Sequence, residues 1–153
     1  MKNYKLGVIG HGYVGESQSF AFSPSFDVRV YDKDSLKSTH PLNEVLDSDF
    51  IFVCVPTPMK KDGSQDLSFV ENFFKNAKEG PIYIIKSTVI PGTTNLLNEK
   101  FQNLKIIFSP EFLTERTAKL DILTQTRIIL GGNKNLTSEV KNIYNIRFKN
   151  KTV

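Results

Sequence analysis

The chain has a single cysteine in 153 residues, no long apolar run and no block of like charge. One cysteine excludes an intrachain disulfide framework. Val53 and Val55 flank it, so Cys54 belongs to a strand and is expected to pack rather than react, since reactive thiols need access and nearby positive charge. No stretch reaches membrane-spanning length and no secretory leader is read, so a reducing cytoplasm is the expected compartment and no membrane partner is expected. The net charge of +4 is spread along the chain. No run of Lys and Arg interleaved with aromatics marks a nucleic-acid face, so no nucleic-acid partner is expected either. Metal-ligand spacings, internal repeats, low-complexity segments and interdomain linkers are also missing from the pattern, and no metal is expected.

What is present suits a single domain over residues 1–153. The length is enough to bury a core, and 39% hydrophobic with 24% charged residues is ordinary for a globular chain. The organising stretch is the first thirty-odd residues, where an apolar run (Leu6, Val8, Ile9) meets Gly10-His11-Gly12-Tyr13-Val14-Gly15. In this G-x-G-x-x-G spacing Gly10 allows a tight turn, Gly12 allows a pyrophosphate to approach the backbone, and Gly15 allows the next helix to press on the strand. The free N–H groups and positive dipole end of that helix would face the phosphates. Asp32 ends the next short strand, 32 − 12 = 20 residues after Gly12, where a carboxylate is expected to hold an adenosine ribose. That carboxylate also favours NAD over NADP, whose 2′-phosphate it would repel. Lys33 follows and could meet a phosphate, although a lysine after a strand is commonly only solvated.

Further along, strand and helix signals alternate. A first helix is expected over Tyr13 to Phe22, with Val14, Ser17, Gln18 and Ala21 on one side, and Val28 to Asp32 forms the second strand. The connection from Asp34 to Asp49 is short, with room for a turn or two of helix around Leu42 to Leu46. Phe50 to Val55 is a continuous apolar run suited to a strand covered on both faces, and Pro56-Thr57-Pro58 breaks it where a cofactor should lie. Asp66 is expected to cap a helix bearing Leu67, Val70, Phe73, Phe74 and Ala77, whose spacing marks a core face. Ile82 to Lys86 is the next strand, ending in Ser87-Thr88, hydroxyls that can bond a ligand or cap the following helix. Ile106 to Phe108 makes another strand. Beyond it, Glu111 and Glu115 would share a face if that segment were helical, and one of them could act as a base or orient a water. Arg127 to Leu130 is expected as a last strand, followed by a helix bearing Leu136, Val140, Ile143 and Tyr144. The class is therefore α/β, a Rossmann-like, doubly wound, mainly parallel sheet with helices on both faces.

Four motifs stand in order: the glycine turn, Cys54-Val55-Pro56-Thr57-Pro58, Lys86-Ser87-Thr88-Val89 with Pro91-Gly92-Thr93-Thr94, and Ser109-Pro110-Glu111-Phe112-Leu113-x-Glu115. Together they resemble the N-terminal NAD-binding domain of the UDP-glucose/GDP-mannose dehydrogenases, from about Lys5 to Gly132. The resemblance implies that Gly10, Gly12, Tyr13, Val14 and Gly15 embrace the NAD pyrophosphate and Asp32 the adenosine ribose. Pro56, Thr57, Ser87 and Thr88 would lie towards the nicotinamide, with Glu115 near its ribose. Members of the family oxidise a sugar C6 alcohol to the acid with NAD. Glu111 would correspond to the carboxylate that acts with Thr88 through a water, and Phe112 to Glu115 would line the sugar. This makes Thr88, Glu111 and Glu115 the candidate catalytic residues. The family's catalytic thiol, lysine and asparagine lie in a part that this sequence does not contain, and Cys54 belongs to the proline turn. Arg116 stands where the family has a glycine, and the segment after Asp34 is abbreviated.

Two functions follow as expectations: a nucleotide-sugar dehydrogenase component, completed by self-association or another chain, or a non-catalytic NAD-binding module acting as a sensor or assembly piece. A third reading is a degenerate product that folds and holds little ligand.

Overall fold

A computed structural model describes residues 3–149 and 152–153. Its named strands and helices run in the order β1 (Lys5–Ile9), α1 (Tyr13–Phe22), β2 (Asp27–Tyr31), α2 (Leu42–Val45), β3 (Phe50–Val53), α3 (Ser68–Lys75), β4 (Ile82–Ile85), α4 (Thr93–Lys100), β5 (Lys105–Phe108), α5 (Ala118–Thr124) and α6 (Lys134–Arg147). Single 3-10 turns lie at Ser35–Lys37 and Glu115–Thr117.

The strands form one sheet in the order β2-β1-β3-β4-β5, every neighbouring pair parallel. From β1 the chain steps outward to β2 and then back across to β3, so the winding direction reverses between β1 and β3. A crevice opens at such a reversal, outside the carboxyl ends of the strands. The apolar runs of β3 and β4 are buried at every position because helices cover both faces.

On one face Leu6, Val8, Phe52, Ile84 and Ile107 meet Phe22 of α1, Ile122 of α5, and Val140, Ile143 and Tyr144 of α6. Phe22 lies 5.1 Å from Phe52, 5.3 Å from Tyr144 and 5.6 Å from Phe148, centroid to centroid. On the other face Ile51, Val53, Tyr83, Ile85 and Ile106 meet Val45, Val70, Phe74 and Leu97. Phe73 and Phe74 of α3 join the core, as their spacing predicts: Phe74 is buried and Phe73 packs edge-on against Tyr83, while Phe69 of the same helix is 46% exposed. Asp66, expected as the cap of this helix, stands one residue before it: the N-cap is Leu67, which makes no side-chain cap, and Asp66 accepts the amide of Ser68 at 2.9 Å in the turn that leads in.

The short connection after β2 closes the edge of the sheet. Thr39 and His40 both donate backbone N–H to the Val30 carbonyl, at 2.9 and 3.2 Å. Val30 N–H donates to Thr39 Oγ1 and Asp32 N–H to Ser38 Oγ. An edge strand would otherwise offer a row of unpaired groups, and a hydroxyl-rich loop satisfies them at the ligand end of β2.

Two expectations are corrected. Residues 127–130 do not form a strand: among the described residues pairing here is an isolated antiparallel bridge of Gly131 with Phe108 and a bridge of Arg127 with Thr152. Ile128 turns inward as a core residue, Ile129 is 44% exposed, and the chain crosses the end of β5 rather than running along it. Glu111 and Glu115 do not share a helical face either. The stretch from Ser109 to Thr114 is irregular after Pro110, and Glu115 opens a separate 3-10 turn.

Candidate functional site

A cleft of about 470 Å³ runs over the strand ends. It draws on all five: Asp32 beyond β2, Gly10 and Gly12 beyond β1, Cys54 to Thr57 beyond β3, Lys86 to Thr88 beyond β4, and Glu111 and Leu113 beyond β5. Four inter-strand spacings amount to about 19 Å, an elongated shape suited to an extended ligand.

At the β1 end the three glycines differ in what compels them. Gly10 has φ +86°, and a Cβ there would stand 2.6 Å from the Cys54 carbonyl oxygen. At Gly15 a Cβ would fall 1.9 Å from the Gly10 carbonyl oxygen, so only glycine lets α1 sit this close to β1. Gly12 is different. Its φ of −74° suits any residue, and a Cβ would meet nothing within 4 Å. Gly12 is also the N-cap of α1 and makes no side-chain cap, so the first turn of the helix faces the cleft without a side chain of its own to satisfy its amides. A group that needs close approach to bare backbone amides accounts for this glycine, and a diphosphate is such a group.

Asp32 is held beside that turn. One carboxylate oxygen accepts His11 N–H at 2.6 Å and the other accepts Asp34 N–H at 2.8 Å. Burial alone would raise the carboxyl, but the His11 and Asp34 amides overcome it and hold the group below its ordinary value. Each oxygen keeps a further lone-pair position, so a fixed anion is left with acceptor capacity for vicinal hydroxyls.

The proline turn and the β4 loop are tied to each other. Thr57 Oγ1 donates to the Thr88 carbonyl at 2.7 Å and Gln65 Nε2 donates to the same oxygen at 2.8 Å, while Ser87 Oγ donates to the Val55 carbonyl at 2.6 Å. These bonds fix the backbone under the wall of the cleft and leave the exposed Thr88 side chain at its edge.

At the far end lies a buried ionic cluster. Lys86 Nζ is 3.1 Å from Glu111 Oε1 and donates to Ser109 Oγ at 3.0 Å. Gln18 Nε2 of α1 donates to the other Glu111 oxygen. Lys86 and Glu111 side chains are only 2% and 7% exposed, yet both line the cleft. Burial works against the Lys86 ammonium, but the acidic groups facing it, Tyr144 and Glu111, outweigh burial and hold it above the ordinary lysine value. Tyr144 faces Lys86 and Ser109 without an aligned hydrogen bond to its own OH.

Of the residues expected from sequence, Gly10, Gly12, Tyr13, Val14, Asp32, Pro56, Thr57, Ser87, Thr88 and Glu111 line this one cleft. Gly15 is buried behind it. Lys33 is exposed and borders an adjoining hollow with His40 and Pro41 that shares Asp32 with the cleft, and the exposed Glu115 is not part of the cleft wall. Lys37, which sequence reading passed over, lines the cleft and acts electrostatically on both Asp32 and Glu16. Lys86, Gln18 and Ser109 were also missed as site residues. The available signal was a lysine closing an otherwise apolar strand, which needs an acid once buried. Burial pushes the Cys54 thiol well above its ordinary value, in keeping with a packing role. Among the described residues no cluster of three or more His, Cys, Asp or Glu could hold a metal, and no helix is long and apolar enough to cross a membrane.

A doubly wound parallel sheet with a bare glycine turn and a fixed acid at its switch point defines a dinucleotide-binding domain. Residues 28–147 match the family model described as UDP-glucose/GDP-mannose dehydrogenase family, NAD binding domain. The chain therefore belongs to the UDP-glucose/GDP-mannose dehydrogenase family, as its NAD-binding domain. The match begins after the glycine turn, so that turn supports the assignment independently. Among relatives, the UDP-glucose 6-dehydrogenase of Streptococcus pneumoniae is 31% identical over 160 aligned positions, covering 83% of this chain and 41% of that protein. An uncharacterized protein of Methanocaldococcus jannaschii is 32% identical over 190 positions, covering 97% of this chain and 21% of that one. A UDP-glucose dehydrogenase structure from Pyrobaculum islandicum superposes with TM-score 0.79 at 25% identity, covering 98% of this chain and 46% of that one. A UDP-D-ManNAc dehydrogenase from Pyrococcus horikoshii gives TM-score 0.80 at 22% identity, covering 97% and 46%, and bears on fold alone. The chain spans less than half the length of each of these proteins.

Proposed function

We propose that the chain supplies the NAD-holding half of a nucleotide-sugar 6-dehydrogenase, in which a sugar C6 alcohol is oxidised to the acid. The observation that carries this reading is Gly12, a glycine that nothing in the chain's own packing requires, beside an Asp32 carboxylate already fixed by two amides. The amides of α1's first turn would take the pyrophosphate, Asp32 the adenosine ribose, and Lys37 would add positive charge at that end. Thr57, Ser87, Thr88 and Glu111 would surround the nicotinamide. NAD bound there would supply the hydride acceptor; the chain's own residues position it and shield its reacting end.

Thr88 and Glu111 are the residues we assign to the reacting end. Lys33 and Glu115 lie outside the cleft wall, so replacing either is expected to change NAD affinity less than replacing Asp32. The sugar nucleotide would need further surface, from another part of the protein, a second copy or a completing chain. A second reading, an NAD-binding module without chemistry of its own, is favoured by one observation: the only thiol, Cys54, is raised by burial and is a poor nucleophile.

Calorimetric titration with NAD tests the first step. Binding is expected, and Asp32→Ala should weaken it by about tenfold or more, the scale of losing a charge-assisted hydrogen-bond acceptor. Unchanged affinity in that variant would remove the ribose assignment. NADH formation with a sugar nucleotide and a completing chain separates the catalytic reading from the binding module.

A further inference from the structure

The buried pair at the β5 end of the cleft has no role in the reading above beyond holding Glu111. Its construction is specific. Lys86 comes from the end of β4, Glu111 from beyond β5 and Gln18 from α1, and each carboxylate oxygen of Glu111 receives one donor, Lys86 at 3.1 Å on one side and Gln18 on the other. Ser109 Oγ takes a second Lys86 hydrogen bond at 3.0 Å. Nearly excluded from water, yet lining the cleft, the two charges act on a ligand there with little screening. An ion pair at this depth is a costly way to add stability, since apolar residues of the same volume would serve as well or better. A function that needs balanced charge at this spot accounts for it.

The two redox forms of the cofactor differ by one charge at their reacting end: the oxidised nicotinamide ring is cationic and the reduced ring neutral. Asp32 and the glycine turn mark the adenosine end at β2 and β1, which leaves the nicotinamide to lie over β4 and β5. We propose that Lys86 is a positioning residue that fixes the Glu111 carboxylate beneath the nicotinamide, and that the pair, by cancelling charge, sets the chain's relative affinity for oxidised and reduced cofactor. The proposal rests on the NAD reading above. An unpaired lysine would repel the oxidised ring, and Glu111 prevents this; an unpaired glutamate would bind the oxidised ring too strongly, and Lys86 prevents that.

The test is equilibrium titration of the 153-residue chain with NAD and with NADH, giving the ratio of their dissociation constants. Glu111→Gln keeps the side-chain shape and leaves the ammonium unpaired. It should shift the ratio towards NADH by about fifteenfold to thirtyfold, the effect of one unit charge about 8–10 Å away at an effective dielectric of about 20. The double variant Lys86→Met/Glu111→Gln removes both charges and should return the ratio to within about threefold of the wild type. Thermal unfolding of each variant confirms that the folded chain is being titrated. A merely structural pair would weaken both forms alike and leave the ratio in place, which overturns the proposal. A double variant that keeps the single variant's ratio also overturns it, because Lys86 would then have no part. If the wild type binds neither form, the NAD reading falls and this inference with it; binding with unmoved ratios removes only the inference.

Discussion

The two ends of the cleft are built in opposite ways. At the β2 and β1 end the groups that face the cleft are backbone amides, one carboxylate and the Lys37 ammonium, all within residues 10–37, and the chain stays partly open to solvent. At the β4 and β5 end they are side chains from three separate elements, and they are buried. The first end suits a part of a ligand that never changes, since amides and a fixed acid present one constant field. On the proposed reading the second faces the part that changes charge and holds that field in balance. Removing a group should therefore cost binding at the first end and folding at the second.

The sharpest way to break this contrast is to substitute glycines of the same motif. Gly15→Ala places a methyl 1.9 Å from a backbone oxygen that cannot yield, and is expected to destabilise the fold by about 4 kcal/mol or more, leaving little folded chain. Gly12→Ala meets nothing within 4 Å, so its stability should stay within about 1 kcal/mol of the wild type, a small loss of capping preference included. Its NAD affinity should nonetheless fall by about tenfold or more, because the methyl stands where a diphosphate must approach. Urea denaturation and calorimetry read the two effects separately. Equal stability losses in both variants would show that Gly12 is a packing residue and that the motif has no ligand-facing member.

At the buried end, Lys86→Met leaves the Glu111 carboxylate without its cation at 7% exposure, and is expected to cost about 3–5 kcal/mol. Adding Glu111→Gln should recover most of that loss, because the pair's net worth is small even though each half is costly alone. If the single substitution costs under about 1 kcal/mol, the ion pair is effectively solvated and the contrast between the two ends disappears.

How far each end could be read from sequence follows from the same difference. The glycine turn, α1 and Asp32 lie within a short window, so spacing alone carried them. The continuous apolar runs of β3 and β4 and the spacing of Val70, Phe73 and Phe74 on α3 were legible for the same reason, because burial imposes a period on neighbours in sequence. Gln18 and Glu111 are separated by 93 positions and Lys86 and Ser109 by 23, and no local pattern links such partners. Glu111 entered through resemblance, while Lys86 and Gln18 passed as motif and packing residues. The misread strand at Arg127 to Leu130 has a related cause. Its β-forming residues are those of a strand, but pairing is settled by the edge of β5, which accepts a partner only at Gly131. Lys33 and Lys37 show the limit at its finest: both are lysines just after β2, and only the return of the chain over Ser38 and Thr39 decides that Lys37 reaches the cleft.

That last pair gives a smaller effect within the open end alone. Lys37→Gln should weaken NAD by about threefold to tenfold and flatten the salt dependence of binding, while Lys33→Gln should change neither by more than about twofold. Titration at low and moderate ionic strength decides it. The reverse ranking would mean that the ligand passes over the hollow beside His40 instead.

The smallest expected effect concerns Asp32 in the absence of any nucleotide. Its carboxyl is held below the ordinary value, so the folded state prefers the ionised form more than the unfolded chain does. The sign follows: this contribution is fully present above the unfolded carboxyl value of about 3.9 and is lost as pH falls through the lower folded value. Asp32→Asn removes it at every pH, because an amide cannot accept from the N–H groups of His11 and Asp34 through both of its terminal atoms. The wild type should therefore melt above the variant near neutral pH, and the two curves should converge as the solution is acidified below about pH 4. The charges of Lys37 and His11 act on the ionised carboxylate alone, so their contribution belongs to the same difference and is lost with it as Asp32 protonates. A gap that stays constant down to the acid limit would mean that the two amides do not depend on the charge they surround. The open end would then owe its geometry to the glycine turn alone, with Asp32 free to turn away from the ribose it is proposed to hold.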